Sequence, residues 1–487
     1  MKKALAMALG AMLVAGAAAP AFAASQIDFK GFYRVHSENV WNSNFAGHKD
    51  DAYNDSYFSD RLNLDFTFNA TDEVAVYWRV RGPNDTRWGT SGRNTLTSHF
   101  IYGEAKTEFG TVSVGRLAHT FVDIGLADLG HSLTFVDGDG TFGYGSPFDW
   151  DTPKDGIRWA NRWDNGFQLV AQYNRWATAH DSATPPVYNN GEYENVDVFI
   201  LEPAYLWDGG GATLALLYAR DHATDPVGLR TIGYYNSALQ VPATKAYFIN
   251  PAISHSFGDF TVNFEGKAGW GKVSDIDPSL VGPNLLTSDE IKATGQAFYL
   301  DFDYNYGPGN VTLAGWWSSG SKVEEFASDT SKYKGLVGLG DAFAPFIVAY
   351  GDGYGTDNPT NAIAKAEELN NAGVNTVGID GASNHWAIAI TGAHAFTDDV
   401  TLQYGLGYLS LNKVGDTKFD ENGSGIQGTK GEKSIGFETD LGLRVQLLDN
   451  LSFSTNFGYL FAGSALKDEN GDKENAYAWY NTLTFSF

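Results

Sequence analysis

Cysteine is absent from the 487-residue sequence, and methionine occurs only three times. A disulfide framework, a thiolate metal site and a cysteine nucleophile are thereby excluded. Long apolar runs are also lacking. Past the amino-terminal segment no stretch of about 18 apolar residues occurs, which excludes a helical membrane protein. Basic residues are outnumbered, 33 against 58 acidic ones, for a formal charge of −25. That balance speaks against nucleic acid and against an anionic membrane surface as partners, although it permits insertion if the charge sits in loops or a lumen. Neither H-E-x-x-H nor G-x-S-x-G occurs, and the glycine-rich LVGLGD at 336–341 lacks the strand-to-helix context of a nucleotide loop. No catalytic residue, cofactor or metal site is expected, and the protein reads as something other than an enzyme.

The amino-terminal segment is itself informative. Lys2 and Lys3 precede an Ala-rich apolar stretch that ends in the small-x-small site Ala21-Phe22-Ala23. This predicts a cleaved signal peptide over residues 1–23 and a single domain over 24–487. The mature chain would have 464 residues (487 − 23) and a formal charge of −27 (31 − 58).

Aromatics make up 14% of the chain beside 56 glycines, a composition that suits an antiparallel β protein. Alternation of apolar and polar residues recurs throughout. Leu62, Leu64, Phe66 and Phe68 alternate with Arg61, Asn63, Asp65 and Thr67. Val74, Val76, Trp78 and Val80 alternate with Ala75, Tyr77, Arg79 and Arg81. Ile435, Phe437, Leu441, Leu443 and Val445 alternate with Glu438, Asp440, Arg444 and Gln446. A period of two is a strand with one apolar face.

The connections alternate as well. Short ones such as EFG (108–110), WDGGG (207–211), FGD (257–259) and LDN (448–450) carry the residues that tight hairpins need. Long polar ones, roughly 12 to 60 residues, lie between them. Short turns on one side and long loops on the other are the rhythm of a transmembrane barrel. The spans predict an all-β, antiparallel, up-and-down transmembrane β-barrel of 18 strands, with 16 as the alternative because 244–256 alternates poorly. Within the longest loop, 358–373 reads as a short helix with Pro359 in its first turn.

Three stretches tie this architecture to a family. EFGTVSVGRLAHTFVD (108–123) resembles the segment that leads into the constriction loop of the general porins of Gram-negative bacteria. KDGIRWANRWDNGFQLVAQYN (154–174) is similar to the strand pair that follows that loop. QIDFKGFYR (26–34) and the terminal Phe487 match too, and the overall look is of the homotrimeric porins of sulfate-reducing-type bacteria. The resemblance implies a homotrimer with a water-filled lumen in each subunit, narrowed by an inward-folded third external loop. It also implies that Leu483, Phe485 and Phe487, the greasy comb of the final YAWYNTLTFSF, act as the signal read by the barrel assembly machinery. Expected partners are therefore other copies of the chain, that machinery, outer-membrane lipid and lipopolysaccharide, and small hydrophilic solutes; nucleic acid is not among them. The expected location is the outer membrane.

Site residues follow from parity. Arg34, Arg61, Arg79, Arg81 and Arg158 oppose the greasy faces of their strands. An Arg facing lipid at mid-membrane would cost about 2–4 kcal/mol, so these are expected to line the lumen. Arg116 shares its parity with Val112 and Val114, and only a bulge or a strand end would turn it inward; the family pattern places it with the others. The loop expected to form the constriction carries Asp123, Asp128, Asp137, Asp139, Asp149 and Asp151. Arginines on the wall and carboxylates on the loop would set a transverse field across the pore. The function expected is passive diffusion of small hydrophilic solutes and ions. A channel selective for a sugar or organic anion is the alternative, and a β-barrel enzyme a weaker one. Tyr77, Tyr299 and Trp316 have the polar parity that a sugar slide would use. KDENGDKEN (467–475) and DGDG (137–140) hold carboxylates but not the pattern of an EF-hand, so no calcium site is expected.

Overall fold

A computed structural model describes residues 26–42, 44–45, 53–89, 96–117, 154–178, 195–221, 244–274, 290–328, 333–337, 345–350, 362–371, 383–420, 425–426 and 428–487. Residues 1–23, expected to be a signal peptide, and 118–153, expected to hold the constriction loop, lie outside the described residues.

Alternation sorts the side chains as expected. In order, the first nine strands are β1 (Gln26–Trp41), β2 (Asp55–Asn69), β3 (Val74–Arg87), β4 (Thr97–Thr107), β5 (Gly110–Leu117), β6 (Lys154–Arg162), β7 (Phe167–Thr178), β8 (Asn195–Trp207) and β9 (Gly210–Asp221). There follow β10 (Thr244–Phe257), β11 (Phe260–Ser274), β12 (Glu290–Asn305), β13 (Gly309–Ser318), β14 (His385–Thr397) and β15 (Val400–Leu411). A small hairpin of β16 (Lys418–Phe419) and β17 (Gly425–Ile426) stands apart, and β18 (Ser434–Leu448), β19 (Leu451–Ala462) and β20 (Ala476–Ser486) complete the sheet. Each strand except the hairpin pair binds its two neighbours antiparallel, and β20 pairs with β1, so 18 strands form a closed barrel. Closure removes every sheet edge, as the bilayer demands.

The closing seam has its own chemistry. Gly31 N donates to Phe487 O at 2.8 Å, and Phe487 N donates to Gly31 O at 2.9 Å. A Cβ on Gly31 would lie 2.4 Å from the carbonyl oxygen of Asn63 and 3.0 Å from the Phe487 ring, so only glycine fits. The segment 244–257 is a full strand despite its poor alternation. Its irregularity is local: Pro251 has no N–H, and β10 skips Asn250 and Pro251 in its register with β11.

Eight connections of two to four residues mark one end of the barrel, and nine of nine to 66 residues mark the other. The outward face is apolar, with Leu214, Leu216, Ile253, Leu313, Ile388, Ile390 and Leu441 exposed along its middle. Aromatics flank this band. Tyr205, Phe257, Phe260, Tyr304 and Phe485 lie toward the short-turn end; Phe199, Tyr247, Trp270 and Trp479 lie toward the long-loop end. From Phe260 to Trp270 the strand runs ten residues, about 33 Å of strand and about 25 Å of height at the usual tilt. That is the apolar thickness of an outer membrane, and the barrel is an outer-membrane protein.

The buried core is inside the barrel. Segments of the 319–384 loop pack onto the inward faces of β9–β15 and β18–β20. They include α1 (Val323–Ser328), residues 333–337 and 345–350, and α2 (Ala362–Asn371). Phe346, Val348, Ala349, Ala362, Ile363 and Ala366 are fully buried there. The wall beneath them is small: Ala297, Ala314, Ala387 and Ala389 face inward. At Gly407 a Cβ would stand 2.1 Å from the Phe346 ring. The described helix begins at Ala362, and Pro359 lies outside the described residues.

Candidate functional site

The inward faces of β1, β2, β3 and β6 carry a bank of arginines. Arg34 on β1 stands directly opposite Arg61 on β2. Both are buried. Arg79 on β3 pairs in register with Asp65 on β2 and binds it through two contacts, Nε to Oδ1 at 2.6 Å and Nη2 to Oδ2 at 2.9 Å. This is the fork geometry that guanidinium and carboxylate share. Arg79 also lies 5.2 Å from the centroid of Phe100. Arg81 Nε donates to Asn63 Oδ1 at 2.9 Å, and Arg158 Nε donates to Gln172 Oε1 at 2.7 Å. Neighbouring polar side chains thus hold each of these three guanidinium groups against the wall.

Arg116 differs from the expectation. It pairs with Ile101 on β4 and Asp155 on β6, and it is exposed on the same face as Val114. No register shift separates Ser113 from Leu117, so nothing turns it inward. Arg116 belongs to the outer wall, above the apolar band, and not to the pore.

Asp123, Asp128, Asp137, Asp139, Asp149 and Asp151 all fall within 118–153, outside the described residues. A second set of carboxylates stands on the wall itself. Glu265 on β11 accepts from Asn250 Nδ2 at 3.1 Å. Asp301 on β12 accepts from Asn263 Nδ2 at 2.8 Å and from Tyr299 OH at 2.7 Å, and Asp303 accepts from Thr312 Oγ1. Lys267 is the cation in this bank, 5.6 Å from the Phe248 ring centroid. In a ring of 18 strands β11 is the ninth after β2, and β12 the ninth after β3. The two banks therefore face each other across the lumen. Their heights agree: Arg79 and Glu265 each sit five residues from the short-turn ends of their strands, and Asp301 four.

Toward the long-loop end the 319–384 segment is fastened to the wall. Val348 N donates to Glu438 Oε1 at 2.6 Å, Ala349 N to Glu438 Oε2 at 2.9 Å, and Ile347 N to Asp440 Oδ2 at 3.2 Å. Trp316 Nε1 donates to Tyr350 OH at 2.6 Å, and that hydroxyl lies 2.7 Å from His385 Nε2. Burial pushes the Tyr350 phenol well above its ordinary value, so the hydroxyl keeps its proton. Tyr299 and Trp316, two of the three aromatics with sequence parity for a solute slide, are covered by this segment. Tyr77 instead stacks on Tyr102 at 5.0 Å near the arginine bank.

Phe485 and Phe487 are exposed on the outer wall, with Leu483 on the same parity. Phe487 packs 5.7 Å from Phe29. Asp468 Oδ1 caps its own turn, accepting from Asn470 N and Asp472 N at 2.9 Å each. Among the described residues no group of three His, Asp or Glu is arranged to hold a metal ion.

No family model matches the chain, and no curated protein matches it. Solved structures do. OccAB1 of Acinetobacter baumannii superposes with a TM-score of 0.51 at 10% identity, over 95% of this chain and 96% of that one. OccK2 (OpdF) of Pseudomonas aeruginosa gives a TM-score of 0.50 at 10% identity, over 94% and 98%. At that identity the likeness is one of fold, and the fold is that of Gram-negative outer-membrane barrels.

Proposed function

We propose that the protein is an outer-membrane channel, not an enzyme, through which small hydrophilic solutes and ions diffuse passively. The observation that carries this reading is the pair of opposed banks. Arg34, Arg61, Arg79, Arg81 and Arg158 stand on one side, and Glu265, Asp301 and Asp303 on the other. Opposite charges across a water-filled gap make a field transverse to the path. Such a field orients dipolar solutes and disfavours apolar ones.

The working unit proposed is a homotrimer. Supporting this, the outer wall around the closing seam is polar where lipid would want it apolar. Asn481 Nδ2 donates to Ser37 Oγ at 3.2 Å, Ser56 Oγ to Asn39 Oδ1 at 2.8 Å, and Tyr33 OH to Asp60 Oδ2 at 2.9 Å. Phe487, Phe485 and Leu483 are proposed to serve assembly.

A planar bilayer under a salt gradient tests the reading. Stable insertion steps with three sublevels are expected, and the reversal potential would give the charge preference. Absence of conductance from folded protein would overturn it. The juxtaposition of Arg34 and Arg61 favours a second reading, a channel selective for organic anions. Saturable, solute-specific block of the current would distinguish it from passive diffusion.

A further inference from the structure

The lumen face of β15, β18 and β19 carries three buried oxygen atoms beside the loop tether. Asp440 on β18 uses Oδ2 for the N–H of Ile347, while its Oδ1 is buried with no donor among the described residues. Asn456 Oδ1 on β19 and Gln403 Oε1 on β15 are buried too, and neither meets a donor there. Arg444, the next residue on this face of β18, donates to none of the three. An acceptor taken from water without a donor is costly, and a carboxylate oxygen more so. Folded proteins leave few such groups, and each calls for an explanation.

Register brings the three together. Gly442 on β18 pairs with Gln403 on one side and Asn456 on the other, and Asp440 pairs with Gly458. Positions 440 and 442 on β18 and 456 and 458 on β19 therefore form a quartet with glycine at two opposite corners. The two remaining side chains lie over those glycines. A Cβ on Gly442 would stand 2.4 Å from Asn456 Oδ1 and 3.2 Å from Gln403 Oε1, and one on Gly458 would stand 2.6 Å from Asp440 Oδ1. Ile347 of the inserted segment closes the quartet from above, its Cβ 2.8 Å from the same point over Gly458. Glu438, one step further up the face, adds a second buried carboxylate, and among the described residues no Lys, Arg or His pairs with either. Two neighbouring carboxylates out of water are stabilised by a shared cation. The donors are all oxygen, carboxylate and amide, which is the set a hard cation takes. Calcium accepts about six to eight oxygens in loose geometry, whereas magnesium demands a near-regular octahedron and keeps its water.

We propose that the lumen wall at β15, β18 and β19 binds one calcium ion. Asp440 Oδ1, Asn456 Oδ1 and Gln403 Oε1 are its protein ligands, and water completes the shell. Glu438 supplies the second negative charge while keeping its hold on Val348 N and Ala349 N. Bound there, the ion ties three strands together beneath the inserted 319–384 segment and braces the carboxylate that holds Ile347. The inference is independent of what the lumen conducts.

Full-length protein, refolded in detergent without lipopolysaccharide, stripped with EDTA and titrated with calcium chloride in a calorimeter, tests it. The expected result is one ion per chain for the wild type and at least tenfold weaker binding by Gln403→Leu/Asn456→Leu. Both substitutions leave Glu438 and its two N–H donors in place. Asp468→Asn, in the exposed turn whose carboxylate caps its own backbone, should leave binding unchanged. Calcium should also raise the temperature at which the folded band converts to the unfolded one, for the wild type and not for the double variant. No binding by the wild type, which would mean that water satisfies the three oxygens, would overturn the proposal. So would equal binding by the double variant, loss of binding in Asp468→Asn, or equal affinity for magnesium chloride. Heat-modifiable migration checks that each variant is folded. If the double variant fails that check, Asn456→Asp keeps an oxygen in place and adds a charge. Binding should then tighten at least threefold, and no tightening would equally overturn the site.

Discussion

The carboxylate of Glu438, on the lumen face of β18, accepts the backbone N–H of Val348 at 2.6 Å, 90 residues away in the chain. With Ala349 N on its other oxygen and Ile347 N on Asp440, the wall grips the inserted loop by its backbone. A net intramolecular hydrogen bond contributes about 0.5–1.5 kcal/mol. Glu438→Gln would set an amide N–H₂ against one of the two N–H donors. Loosening of the loop is expected to raise single-channel conductance and current noise. Gly407→Val, on the neighbouring strand directly opposite Glu438, would push on Phe346 and should do the same without touching a charge. Unchanged conductance in both would place the loop outside the conducting path.

Charge reversal on the arginine bank has a definite sign. Arg79→Glu/Arg81→Glu replaces two positive charges by two negative ones beside Asp65. The reversal potential under a salt gradient should move toward cation selectivity. Asp301→Asn/Asp303→Asn removes two negative charges across the lumen and should move it toward anions. Shifts in the same direction, or none, would remove these banks from the constriction.

Most of the barrel was legible because a period of two survives in single strands. The turn expected at FGD (257–259) falls at residues 258 and 259, between β10 and β11. Strand count held even at 244–257, where Pro251 breaks the pattern. Inward parity of Arg34, Arg61, Arg79, Arg81 and Arg158 was legible for the same reason. Arg116 is the exception: the family resemblance implies the lumen, but its alternation with Ser113 and Leu117 puts it on the outer wall. The tether to Glu438 was not legible. It uses backbone N–H groups of 347–349, which no side-chain pattern reports, and it joins segments that are remote in sequence.

The seam offers a stability test. Gly31→Ala would drive a Cβ into the Asn63 carbonyl, 2.4 Å away, next to the paired Gly31 and Phe487 backbones. Substitutions that force backbone shifts cost roughly 1–3 kcal/mol. The temperature at which the folded band converts to the unfolded one on a gel should fall. Deleting Phe487 removes both seam hydrogen bonds and its contact with Phe29, and should lower the yield of assembled barrel in the outer membrane. Normal yield would remove Phe487 from assembly.

The polar patch outside the seam decides the oligomer. In a lipid-facing wall, Ser37, Asn39 and Asn481 would each be better as an apolar residue, because bilayer hydrocarbon offers them no water. In a subunit interface they would be sites of contact, since polar side chains hydrogen-bond between packed membrane elements at about 0.6–2 kcal/mol each. Ser37→Leu/Asn39→Leu/Asn481→Leu separates the two. A lipid-facing wall predicts a barrel of equal or greater heat stability and no change in oligomer. An interface predicts that trimers dissociate at a lower temperature on unheated gels while the monomeric barrel stays folded. The second outcome is expected, because the three pairs cluster on β1, β2 and β20, on the opposite side of the ring from β10 and β11.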